Sequence, residues 1–209
     1  MLNHRGLVRL SLCATALLVP RAGVGAQGQI GAFVGATFSS LRGVDGLDSR
    51  TGLIGGLSIV LPSAGPLAIQ TGALFVSKGA EGSSSTAEGL ELNYFEVPVL
   101  LRLGLGLGLT AKPHLYAGPY FGFKIDCTVE VTSADCDDLP GVSTKSVDIG
   151  GIVGGGLDFN FGPLVLTAGL RYGFGVSKVA DFDVGAVRES AKNGTFAIYT
   201  GLAIRLGGG

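Results

Sequence analysis

One stretch restricts this chain more than any other: residues 93–103, NYFEVPVLLRL. Phe95, Val97, Val99, Leu101 and Leu103 share one wholly apolar face. Tyr94, Glu96, Pro98, Leu100 and Arg102 share the other. A period of two with both charges on one side predicts a β-strand. In a soluble sheet the apolar face turns to the core. In a closed barrel that crosses a bilayer the polarity inverts, with apolar residues against lipid and polar ones in the lumen.

The rest of the chain decides between these two. Alternation recurs in eight segments: 29–39, 52–61, 67–77, 93–103, 114–125, 147–161, 164–177 and 194–206. The fourth keeps its parity through Leu105, Leu107 and Leu109, so it is expected to run past Leu103. Mean hydropathy is +0.49 and glycine reaches 37 residues, yet no stretch after Val19 is long and apolar enough for a membrane helix. The polar faces carry glycine and isolated charges, too little to solvate the outside of a soluble sheet. A secreted soluble barrel or sandwich is therefore the weaker alternative. The predicted fold is all-β, an eight-stranded antiparallel up-and-down transmembrane barrel.

Residues 1–26 have the layout of a cleaved signal peptide. His4, Arg5 and Arg9 form a basic start, Leu10 to Val19 an apolar core, and Val24-Gly25-Ala26 a small-residue cleavage site. The apolar run is too short for the roughly 20 residues of a membrane span. Cleavage would leave the domain 27–209, with 12 basic against 16 acidic residues. That mild acidity, without a basic block, argues against nucleic acid as a partner. Cys13 would leave with the leader. Cys127 and Cys136 remain, an even pair that reads as a disulfide in an exported chain.

The connections alternate long and short. Residues 40–50, 78–89, 126–146 and 178–193 are polar loops; 62–66, 110–113 and 162–163 are tight turns. Short turns on one side and longer loops on the other are the pattern of outer-membrane barrels. An even strand number puts both termini on the short-turn side. The expected location is the cell outer membrane, termini periplasmic.

With these segments placed, the chain resembles the PorT-like outer-membrane β-barrel family. The resemblance rests on 94–101, YFEVPVLL, and 116–119, YAGP, with support from Gly154-x-Gly156 and Leu170-Arg171-Tyr172. Residues 199–206 are similar to the C-terminal strand read by the barrel-assembly machinery, but end on Leu206 and a glycine tail instead of an aromatic. The resemblance implies outer-membrane lipid as surroundings and that machinery as a partner during insertion. The family's namesake contributes to protein secretion, which keeps an envelope protein partner open.

Eight strands make a barrel just wide enough for side chains to fill. Glu96, Arg102, Lys124, Asp148, Asp158 and Arg171 are therefore expected to pair across the lumen. A narrow solute or proton path is the alternative, because glycines at inward positions leave space for water. His114 has inward parity and no serine partner at useful spacing, so no catalytic site is assigned. The run Asp135-Cys136-Asp137-Asp138 fits no calcium loop and reads as a solvated acidic surface. Gly-x-Gly steps lie within strands with no helix after them, which excludes a phosphate loop. The expectation is a non-enzymatic barrel without cofactor or metal, with a structural or surface-interaction role. A small-solute channel and a component of a secretion or envelope-assembly complex are the alternatives.

Overall fold

The computed structural model describes residues 28–42, 47–82, 90–106, 111–129, 142–144, 146–177, 180–184 and 187–206. The expected leader, the acidic run 135–138 and Cys136 lie outside them. In chain order the strands are β1 (Gly28–Arg42), β2 (Leu47–Pro62), β3 (Leu67–Gly82), β4 (Leu90–Gly104), β5 (Ala111–Val129), β6 (Val142–Thr144), β7 (Val147–Phe161), β8 (Leu164–Gly175), β9 (Ala180–Val184) and β10 (Val187–Leu206). Eight of them pair antiparallel in the ring order β1-β2-β3-β4-β5-β7-β8-β10, and β10 returns to β1. That closing ladder is continuous from Gly28–Leu206 to Arg42–Lys192. The sheet has no open edge, and the chain forms a closed eight-stranded barrel.

Exposure follows the alternation. On β2, Leu53, Leu57 and Leu61 face out; on β5, Leu115, Phe121 and Phe123; on β10, Ile198, Leu202 and Ile204. Leu57 is 59% exposed and Leu53 64%. A continuous apolar belt of this extent requires an apolar solvent around the wall. Inside, charged and aromatic side chains are buried: Tyr94, Glu96, Tyr120 and Asp148 each expose 1% or less.

Two turns at one end need a left-handed residue, and glycine supplies it. Gly65 (φ 59°) sits between β2 and β3, and Gly162 (φ 62°) between β7 and β8. Ser63 N–H donates to Leu67 O at 2.9 Å across the first turn. Gly28 and Leu206 end their strands on this same side, since Gln29 pairs with Val60 near the first turn.

Three expectations change. Strands are longer than the apolar alternation suggested: β1 runs to Arg42, β3 to Gly82, and β4 starts at Leu90. The ladder continues because backbone pairing persists after the wall leaves lipid, where side chains lose their reason to alternate. A strand of fifteen residues spans about 50 Å at roughly 3.3 Å per residue, well beyond a hydrocarbon core. Next, 178–193 is not simply a loop: β9 pairs with residues 187–191 of β10, and β6 adds to β9. Finally, β4 passes Leu103 by a single residue, to Gly104, short of the parity that continues through Leu105. Leu105 N–H then donates to Pro113 O at 2.8 Å; Leu107 and Leu109 lie outside the described residues.

Candidate functional site

The lumen holds the chemistry, in two charged layers separated by tyrosines. The layer nearer the long connections is built on four strands. Glu96 of β4 binds Arg171 of β8 and lies 3.1 Å from Lys78 Nζ of β3. Lys78 Nζ is also 3.0 Å from Asp148 Oδ2 on β7. Tyr120 OH (3.0 Å) and Asn193 Nδ2 (2.8 Å) donate to the same carboxylate oxygen. Ser177 Oγ donates to the other at 3.1 Å. The ammonium sits 4.3 Å from the centre of the Tyr120 ring and 5.1 Å from that of Tyr94. Two cations meet two carboxylates, so the layer is neutral. Its members are nearly dry, and pairing is what makes that burial tolerable.

Below it, Tyr116 and Tyr199 join their hydroxyls at 3.1 Å, and Tyr116 OH donates to Leu170 O. Phe33 packs on Tyr199 at 5.2 Å between ring centres. The second layer lies toward the short turns. Arg102 of β4 binds Asp158 of β7 and donates to Gln70 Oε1 at 3.3 Å. Thr167 Oγ1 donates to Asp158 Oδ1 at 2.8 Å, and His114 Nδ1 lies 3.6 Å from that oxygen.

The inward glycines of β7 do not leave the space expected of them. A methyl on Gly150 would sit 2.5 Å from Tyr120 Cε1, one on Gly154 2.5 Å from Tyr116 Cζ, and one on Gly156 3.0 Å from His114 Cε1. Each of these three glycines is the register partner of the β5 ring that covers it. Among the described residues, two cavities of about 30 and 20 Å³ lie beside Phe33 and Tyr199. At ~10–15 Å³ per enclosed water, these hold a water or two each, not a pore.

Of the six charges expected to pair, the structure joins Glu96 to Arg171 and Arg102 to Asp158, and seats Asp148 against Lys78. The cation between Glu96 and Asp148 is Lys78. Lys124 is the register partner of the inward Tyr94, and the extra residue, Ile125, comes after it, so the bulge shifts parity only from Asp126 on and brings Cys127 inward. Lys124 is left half-exposed, its N–H bound to Ser146 O. Sequence reasoning missed Lys78, having ended its strand at Ser77. The signal was present: Gln70, Gly72, Leu74, Val76 and Lys78 share one parity. His114 is inward and 3% exposed. Cys127 is buried after the bulge on β5. No cluster of three or more metal-ligating side chains exists among the described residues.

A closed β-wall with a greasy outside and a charged inside matches a known family model, the outer membrane protein beta-barrel domain, over residues 24–181. The chain belongs to that family. Its place is the outer membrane. Among solved structures it is similar to Neisserial surface protein A, with TM-score 0.56 at 16% identity, over 85% of this chain and 96% of that one. It is similar to the outer membrane protein OprG from Pseudomonas aeruginosa to the same extent, TM-score 0.56 at 15% identity, over 88% and 97%. At these identities the likeness is one of fold. No curated protein matches the chain in sequence.

Proposed function

We propose that this protein is a non-enzymatic outer-membrane barrel with a structural or surface-interaction role, its lumen closed and its longer connections presented outside the cell. Its termini then face the periplasm. The observation that carries this reading is the pair of neutral charge layers, Glu96–Arg171–Lys78–Asp148 and Arg102–Asp158, which fill a barrel too narrow for more. The motifs at 94–101 and 116–119 resemble those of the PorT-like branch of the family. His114 fits a packing role: among the described residues no hydroxyl hydrogen-bonds its imidazole, and its acidic neighbour Asp158 is committed to Arg102 and Thr167. Cys127 pairs with Cys136 and staples the long connection after β5.

Planar-bilayer recording of the purified barrel tests the closed lumen. A flat baseline is expected, and stable single-channel steps would replace this reading with the small-solute channel. Cross-linking in intact cells followed by co-purification addresses the secretion-complex alternative. A stoichiometric envelope partner bound through the longer connections would place the surface role there. Mass spectrometry without reductant should find Cys127 and Cys136 joined; two free thiols would remove the staple.

A further inference from the structure

The Arg102–Asp158 layer is neutral by itself, but the rim of the lumen beyond it, at the short turns, is not. Two more inward positions there are cationic, Lys112 of β5 and Arg205 of β10. Lys112 is the register partner of Asp158, and Arg205 shares the parity of the buried Ala197 and Tyr199. Asp158 is the one carboxylate in this half of the lumen among the described residues, and Arg102 and Thr167 already bind it. Arg205 donates to a neutral acceptor, Asn160 Oδ1, and the buried Asn160 Nδ2 has no hydrogen bond among the described residues. Neither Lys112 nor Arg205 forms an ion pair among them. Three cations thus face one carboxylate, and the unanswered polar atom beside them is a donor.

The larger of the two lumenal cavities, about 30 Å³, lies at this end. Its lining runs from Gln29, the register partner of Arg205 at the rim, down to Tyr199. Ser58, Gln70 and Thr167 line it with hydroxyl and amide groups, and no carboxylate does. Arg102 is its one ionised side chain and is only 8% exposed. Two of the five guanidinium N–H donors go to Asp158 and Gln70. We propose that this cavity takes a small monocarboxylate anion from the short-turn mouth, its oxygens on Arg102 and its approach steered by Lys112 and Arg205. At ~10–15 Å³ per water-sized group, the space suits the two oxygens of a carboxylate. A planar guanidinium is shaped for that group, and a cleft lined by one sign of charge concentrates the opposite ion. The inference rests on the closed lumen, which makes the cavity a dead end and not a path. Conductance and binding are separate readouts, so either reading can fail alone.

Acetate is the probe, titrated into the full, isotope-labelled barrel in lipid nanodiscs at fixed pH and ionic strength and followed by NMR. The amides of Gln29, Ser58 and Thr167 are expected to shift along saturable curves. Acetamide, of the same shape without the charge, should leave them in place. The rim double substitution Lys112→Gln with Arg205→Gln should weaken acetate severalfold, whereas Lys124→Gln, at the other end of β5, should not. Replacing the buried pair together, Arg102→Gln with Asp158→Asn, leaves no charge uncompensated and should abolish saturation. If that variant fails to fold, the rim variant still decides. Shifts that grow linearly with acetate, equal shifts with acetamide, saturation kept without Arg102, or equal affinity in the rim and Lys124 variants would each overturn the proposal.

Discussion

Lys78 Nζ lies 3.0 Å from Asp148 Oδ2, and this contact ties β3 to β7 across the barrel. In ring order those strands are separated by β4 and β5, so no backbone ladder joins them. The ammonium is held at the same time by Glu96 and faces the rings of Tyr94 and Tyr120. Side chains from three strands beyond β3 thus converge on one cation. The brace fixes the lumen's cross-section, while the ladders fix its circumference.

Removing the cation alone should leave two buried carboxylates with one partner fewer. Lys78→Met is expected to destabilise the barrel by about 3–5 kcal/mol, the range for breaking one side of a buried ion pair. Adding Asp148→Asn should restore a large part of that loss, because the amide needs no counter-charge. Urea unfolding in lipid vesicles measures both. A single variant as stable as wild type would deny the brace its role.

The outer face gives a prediction that separates a membrane wall from a water-facing one. Leu57 is 59% exposed near the middle of β2. In a soluble protein an arginine at such a site changes stability by ~0.5 kcal/mol or less. In lipid, Leu57→Arg is expected to cost about 2–4 kcal/mol. Vesicle-based unfolding decides between the two magnitudes.

Gly154 tests the packing of β5 rings on β7. A methyl there meets Tyr116 Cζ and Oη at 2.5 Å and Leu170 O at 2.6 Å, so relief requires both a ring and a backbone to move. Gly154→Ala should destabilise by roughly 1–3 kcal/mol through overpacking. Gly106 has nothing within 4 Å of the same methyl, so Gly106→Ala is its control and should leave the unfolding midpoint unchanged.

Much of this architecture is legible in residues read two by two. The alternation on 93–103 already separates Phe95, Val99 and Leu101 from Glu96, Leu100 and Arg102, and the structure keeps that division. What escapes is whatever depends on neighbours in space. Lys78 looks like the start of a loop because the outward positions beside it, Ser77 and Gly79, are no longer apolar. Its own inward parity is unbroken. Cys127 reads as outward because Phe121, Phe123 and Ile125 are apolar, until the bulge at Ile125 shifts the parity and sets Cys127 opposite Leu92 on the inward side. The glycines of β7 look like voids until the register with β5 sets Tyr116, Tyr120 and His114 upon them. Sequence periodicity carries each strand's two faces; it does not carry which side chain of the next strand lies opposite.

The inverted polarity of the wall is tested most directly by gel mobility of the protein from isolated outer membranes, with and without boiling. A closed barrel with an apolar outside should fractionate with the membrane, need detergent for release, and migrate faster unboiled than boiled. Recovery of the protein in detergent-free periplasmic extract, with one mobility regardless of heating, would contradict the account.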